Sequence, residues 1–286
     1  MSNREDYELV RLASGAHSVR SVAEDETFHP VIGPVAEAEA LYVRQTRLAE
    51  RLQNGDGPFV VWDVGLGAAA NALTVLRAAQ PWGRPLRLYS FDHTVEPLRF
   101  ALQNQGPLGY FDGFAPMLEE LIANRRVCFQ NDGHAVEWSL AMGDFPAWLA
   151  APAPASAAES PHLILYDAFS PAKNPAMWTL PVFTAIHTRL SPERPCLMPT
   201  YSRSTLLRVT LLLAGFFVGA GHATGEKEET TIASNTPGSL DDPLPRGWLK
   251  RARNSTSAEP LAGPSYAQRP LSEDSWRRLA SHPQFQ

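Results

Sequence analysis

The sequence predicts an α/β fold, a mostly parallel sheet of seven strands with helices on both faces. Three observations carry this expectation. From Phe59 onward, short β-rich runs alternate with stretches of helical apolar periodicity, the pattern of strands joined by crossover helices. A glycine turn, Asp63-Val64-Gly65-Leu66-Gly67, stands between the first such run and an alanine-rich stretch. There glycine lets the backbone pass close to a ligand, and a helix start offers free N–H groups. Acidic residues then recur just after further strand-like runs, at Asp92, Asp144 and Asp167, and open α/β sheets bind ligands beyond the carboxyl ends of their strands.

Taken in order, apolar residues at helical spacing from Val35 to Leu52 predict a helix that ends at the breaker Asn54-Gly55-Asp56-Gly57-Pro58. Phe59 to Asp63 reads as a strand, Ala68 to Ala79 as a helix, and Leu86 to Phe91 as a second strand ending at Asp92. Pro107 to Asp132 is less regular, with a helix near Met117 to Asn124, an insertion relative to a minimal alternating unit. Val136 to Met142 reads as strand, Phe145 to Leu149 as a short helix and Leu163 to Tyr166 as strand. The low-complexity stretch Ala151 to Ser156 before the last of these reads as a surface loop. Met177 to Leu190 and Thr205 to Ala214 are helical in pattern, and Cys196 to Thr200 is extended. A final strand, Glu229 to Ala233, is expected to pair antiparallel with Gly215 to Val218. Three parts result: residues 1–57, a segment and helix packed on the core; residues 58–235, the ligand-binding core; and residues 236–286, a peripheral tail with a short helix near Ser272 to Leu279.

A chain of 286 residues, 44% hydrophobic and 19% charged, is expected to form one principal core. No run approaches the roughly 18 to 20 apolar residues of a membrane span, and Met1 to Arg11 is charged, so no membrane association and a cytoplasmic location are expected. The net charge of −5 argues against a protein that coats nucleic acid, which needs clustered Lys and Arg. Local basic patches built from residues such as Arg203, Arg208 and Lys250-Arg251-Ala252-Arg253 remain compatible with it. Cys128 and Cys196 stand at no metal-ligand spacing, so neither a metal nor a disulfide is expected.

The strand-end residues suggest a nucleotide-like ligand. Asp63, Gly65, Gly67 and Asn71 form the turn and helix start, Asp92 is placed to accept the ribose hydroxyls of an adenosine, and Asp144 to accept from an adenine amino group. Asp144 also precedes a short helix and reads equally as its N-cap. The turn lacks the third glycine of a dinucleotide fingerprint, because Ala69 follows Ala68. Nothing downstream supplies a dehydrogenase proton relay either, so S-adenosyl-L-methionine is the better ligand than a nicotinamide. His93, His134 and His162 stand isolated and read as structural.

Asp167-Ala168-Phe169-Ser170-Pro171-Ala172-Lys173-Asn174-Pro175-Ala176-Met177-Trp178 closely resembles a motif of the methyltransferase family that completes 5-methylaminomethyl-2-thiouridine at the tRNA wobble position. That family occurs as one domain of the bifunctional MnmC enzymes and as a stand-alone, MnmD-type form. Glu26-Thr27-Phe28-His29-Pro30, with Gly33 and Glu37-Ala38, is similar to its N-terminal segment, as are Thr200-Tyr201-Ser202 and Ala214-Gly215-Phe216 to later ones, so the likeness runs from about Ser14 to Asn235. The chain departs from the family at Ala69, usually glycine, at Asp92, often Glu, and at Arg203-Ser204, usually a small pair. Glu226 to Glu229 replaces a segment that is usually more basic.

The resemblance implies a Rossmann-like class I methyltransferase fold and transfer of a methyl group from S-adenosyl-L-methionine to the amine of 5-aminomethyl-2-thiouridine. It implies transient contact with a tRNA anticodon loop, with Asp167 as orienter or base and Lys173 beside it in the catalytic set. Phe28, His29, Phe169, Asn174, Trp178 and Tyr201 are its substrate-binding candidates, since aromatic faces hold splayed bases. Phe169 and Trp178 read equally well as core aromatics. No flavin is expected, because the residues beyond Asn235 are too few for a flavin domain; the oxidoreductase step would then belong to a separate protein. Two alternatives stand beside this reading. One is a methyltransferase or aminopropyltransferase acting on a small amine, against which the Lys-Asn-Pro and Trp spacing argues. The other is a cofactor-binding scaffold without activity, against which the four carboxylates argue.

Overall fold

The computed structural model describes residues 6–55, 57–152, 158–224 and 228–286. Part of the expected loop at Ala151 to Ser156, and of the acidic segment Glu226 to Glu229, lies outside them. A three-stranded antiparallel sheet, β1 (Tyr7–Arg11), β2 (His17–Ser21) and β3 (Glu26–Thr27), precedes the core. The strands are short and their burial does not alternate cleanly, so sequence periodicity alone does not reveal them. The single helix expected over Val35 to Leu52 is three pieces: α1 (Pro34–Ala38), a π-helical turn (Glu39–Arg44) and α2 (Leu48–Gln53). The break falls where Arg47 adopts a left-handed φ of 49°, which re-aims the chain while Leu41, Tyr42, Leu48 and Leu52 all stay buried. Burial, not helix propensity, is what the apolar spacing reported.

The core begins with β4 (Phe59–Val64), whose six residues are all buried, as both faces of a central parallel strand must be. Then follow α3 (Ala70–Ala79), β5 (Leu86–Asp92), α4 (Glu96–Gln103), α5 (Gln105–Leu108), α6 (Ala115–Asn124), β6 (Arg126–Asn131), β7 (His134–Met142), α7 (Phe145–Ala150), β8 (Leu163–Tyr166), α8 (Leu180–Thr188), β9 (Leu197–Thr200), α9 (Thr205–Leu213), β10 (Phe217–Gly221), β11 (Thr230–Ser234), α10 (Trp248–Asn254) and α11 (Glu273–Ala280). The main sheet has eight strands in the order β10-β11-β9-β8-β4-β5-β7-β6. The five central strands pair in parallel, while β6 and the β10–β11 hairpin pair antiparallel at the edges. The expected seven-stranded sheet therefore gains an edge strand. Within the irregular region Pro107 to Asp132, β6 forms a hairpin with β7 through Asp132 and Gly133, both at positive φ.

Side chains alternate across β4. Phe59 and Val61 join a core with Leu41, Leu73 and Leu76, whereas Val60, Trp62 and Val64 join one with Phe183, Leu207 and Leu211 on the other face. The segment after Thr236, expected to be peripheral, is not. Leu244, Trp248, Leu261, Leu279 and Phe285 are buried in that second core, and the Gln284 side chain donates to the Val218 and Leu244 carbonyls and accepts from the Val218 N–H. Its polar composition hid a few anchoring residues spaced too far apart to show a period. Among the described residues, no helix is long and apolar enough to cross a membrane.

Candidate active site

The chain crosses from β4 to β5 on one side and later returns from β7 to β8 on the other side of β4, so a crevice opens beyond the carboxyl ends of these strands. It is a cleft of about 1080 Å³, at the large end of small-molecule sites. The turns after β4, β5, β7 and β8 form its floor. The small N-terminal sheet supplies a wall through Tyr7, Arg20, Glu24 and Glu26; apart from Glu26, which stands in the block carrying the family likeness, the sequence pointed to none of it.

The glycine turn is shaped by close approach. Gly65 sits at φ 93°, and a Cβ there would lie 2.8 Å from the Asp167 carbonyl oxygen. Gly67 sits at φ 51° with the Phe28 ring 3.3 Å from where its Cβ would be. Ala69 also takes a left-handed φ, 63°, a conformation glycine adopts more cheaply. The insertion supports this turn, since the Tyr110 hydroxyl donates to the Ala68 carbonyl.

Asp92 closes the same turn from β5. Its Oδ2 accepts from the Gly67 N–H at 3.0 Å and its Oδ1 from the Thr94 N–H at 3.2 Å. Asp144 caps α7, accepting from the Ala147 N–H at 3.0 Å, and also lines the cleft. Asp63, expected among the cofactor ligands, lies beneath the turn instead. It is buried, outside the cleft lining, and accepts from the Ser90 hydroxyl at 2.7 Å, while Ser90 Oγ accepts from Trp138 Nε1–H. Burial raises the Asp63 pKa to about 8, opposed by the Ser90 hydrogen bond and reinforced by Asp167 and Asp92.

Asp167 follows β8 at the heart of the site. The Asn71 side-chain amide donates to its Oδ2 at 2.8 Å, and His29 Nε2 lies 3.4 Å from the same oxygen. The other ring nitrogen of His29 lies 3.5 Å from Glu37 Oε1. Burial alone would lower the His29 pKa, but Asp167 and Glu37 outweigh it and raise the value to about 9. Glu26, from β3, faces the Ser170 N–H with both carboxylate oxygens at 3.4 Å, tying the small sheet to the loop after Asp167. Glu26 and Glu37 stood in the sequence block that carried the family likeness, yet nothing in their spacing assigned them a role.

The other expected residues divide. Phe28, Phe169, Asn174 and Tyr201 line the cleft. The two phenylalanine rings meet edge to face at 5.6 Å, and the Tyr201 hydroxyl donates to the Ala168 carbonyl. Lys173 lines the cleft with an exposed side chain. Trp178 does not reach it. It is fully buried against Tyr166, Phe183 and Tyr201, and its indole N–H donates to the Phe169 carbonyl at 2.7 Å. It props the loop from behind, as expected where so large an apolar group finds a buried partner for its N–H. His162 is likewise structural, accepting from the Val60 N–H at 2.9 Å.

These residues suit an adenosyl cofactor. The glycine turn leaves backbone room, carboxylates face the cleft after β5 and β7, and the buried Asn71 Oδ1 has no hydrogen-bond partner among the described residues, so a ligand ammonium would satisfy it. Asp92→Ala is expected to weaken S-adenosyl-L-methionine binding by about tenfold to a hundredfold, the worth of hydrogen bonds to a charged acceptor. Unchanged affinity in calorimetry would remove Asp92 from the cofactor contacts.

Residues 114–236 match a family described as S-adenosyl-L-methionine-dependent methyltransferase. The chain is 28% identical over 251 residues to the tRNA 5-methylaminomethyl-2-thiouridine biosynthesis bifunctional protein MnmC of Methylibium petroleiphilum, covering 82% of this chain and 35% of that protein. Its identity to the MnmC of Ectopseudomonas mendocina is 32% over 205 residues, covering 68% and 30%. It thus spans about a third of the length of these curated relatives. The crystal structure of MNMC2 from Aquifex aeolicus superposes with a TM-score of 0.70 at 22% identity, covering 97% of this chain and 86% of that one. The chain thus has the fold of the Aquifex protein and is similar in sequence to S-adenosyl-L-methionine-dependent methyltransferases over residues 114–236 and to MnmC proteins over most of its length.

Proposed function

We propose that the protein transfers the methyl group of S-adenosyl-L-methionine to the primary amine of a 5-aminomethyl-2-thiouridine at the wobble position of tRNA, as a cytoplasmic enzyme that meets the anticodon loop transiently. The observation that carries this reading is the Asp167 carboxylate, anchored by Asn71 and His29 in the cleft that Phe28, Phe169 and Tyr201 also line. When bound, the cofactor supplies an already activated methyl group. The protein's part is then to place an amine nitrogen in line with it, a gain that positioning alone can supply. Asp167 orients the amine, whose lone pair forms the N–C bond as the S–C bond breaks; the ammonium product then loses a proton to water. Gly65, Gly67, Asn71, Asp92 and Asp144 hold the cofactor in this reading, Phe28, Phe169 and Tyr201 hold the extruded base, and Lys173 and Asn174 meet its flanking groups. The tRNA-modifying relatives support the tRNA substrate, and an oxidoreductase acting earlier on the same nucleoside belongs to this reading as a separate partner.

The test incubates the protein with labelled S-adenosyl-L-methionine and tRNA bearing 5-aminomethyl-2-thiouridine, then digests the tRNA and identifies nucleosides by mass spectrometry. The expected product is 5-methylaminomethyl-2-thiouridine. Label transfer to small amines alone would replace the tRNA reading, and thermal stabilisation by the cofactor without any transfer would indicate a scaffold.

A further inference from the structure

The Glu37–His29–Asp167 array shares the cleft lining with the surfaces that would hold a base. The His29 and Glu37 side chains are 9% and 7% exposed, Asp167 17%. The backbone at this point is strained, since His29 sits at φ 49°, a left-handed conformation unfavourable for a non-glycine residue. This turn inserts the ring between the first turn of α1 and the end of β8. A neutral imidazole has a single N–H and can serve only one carboxylate; an imidazolium serves both.

Building on the reading above, we infer that Glu37 is a positioning residue for methyl transfer: through His29 it keeps a cation beside Asp167. The need follows from the amine. Only the neutral amine has a lone pair to attack, and an unopposed carboxylate beside it favours the ammonium form. Asp167 is the anion that orients the amine, and Glu26 adds a further carboxylate at the neighbouring loop. The imidazolium offsets Asp167 from within the cleft lining, so the amine is held without being locked in its protonated form. Glu37 secures that charge, and the raised His29 pKa agrees with the geometry. The groups facing His29 are Asp167 and Glu37; Asn71, Tyr42, Tyr201 and Asp63 surround Asp167.

The experiment compares wild type, Glu37→Gln and Glu37→Asp in steady-state methyl transfer from pH 6 to 9.5, beside an NMR titration of the His29 ring in each folded protein. In Glu37→Gln the His29 titration is expected to move to lower pH and kcat to fall about tenfold at pH 8.5, as each pKa unit gained by the amine removes tenfold of its neutral form. At pH 6.5, where His29 recharges, the loss should shrink below twofold. KM for S-adenosyl-L-methionine should not change, and Glu37→Asp should restore part of the alkaline activity. An unchanged profile, or a loss equal at every pH with no movement of the His29 titration, would show Glu37 to be merely structural and overturn the inference. Were wild type inert toward tRNA, the proposed function would fall on its own. The His29 titration would then decide: unmoved in Glu37→Gln, it refutes the array as well.

Discussion

Asp167→Asn is expected to lower methyl transfer by about a thousandfold, within the range that removal of a positioned acid–base or orienting group produces, while leaving the fold and cofactor affinity in place. The substitution keeps the volume of the side chain but removes its charge. Asn71 Nδ2–H and His29 Nε2–H then face an amide in place of the carboxylate oxygen they address, and the incoming amine loses the anion that orients it. The measurements are single-turnover transfer to tRNA, calorimetric binding of S-adenosyl-L-methionine, and thermal unfolding. Near-wild-type turnover in the variant would take Asp167 out of the mechanism. Loss of cofactor binding together with turnover would move its role to the other half of the cleft.

Truncation after Asn235 is expected to abolish cooperative unfolding. The removed segment carries Leu244, Trp248, Leu261, Leu279 and Phe285 into the core on the α8–α9 face, and its loss would leave that face open to water. Even a single replacement, Phe285→Ala, should cost about 3 to 5 kcal/mol, as large buried aromatics do. Phe285 is 2% exposed, and its neighbour Gln284 holds the backbone at Val218 through two hydrogen bonds. Thermal melts and dye binding to exposed apolar surface check both variants. A truncated protein that melts with the wild-type midpoint would show the tail to be dispensable.

Where the sequence was legible, a local rule was at work. The strand–glycine turn–helix unit around Gly65 and Gly67 was readable because only glycine accommodates a carbonyl as close as that of Asp167. The dual reading of Asp144 was available because N-capping depends on residues three positions apart. The block Asp167 to Trp178 pointed to the right loop but blurred its two sides. Phe169 lines the cleft and Trp178 props it from behind, a distinction that depends on packing against Tyr166, Phe183 and Tyr201, all outside the block.

The chain by itself determined the alternating α/β order, the glycine turn, and the strand-end positions of Asp92, Asp144 and Asp167, because these follow from period, conformational freedom and connectivity over short spans. Only the tertiary structure decided that Asp63 lies under the site and not in it, that β6 extends the sheet, that the tail completes the core, and that Glu37 and His29 stand beside Asp167. Each of those joins residues distant in sequence, through burial and charge compensation that become defined only when the chain is folded.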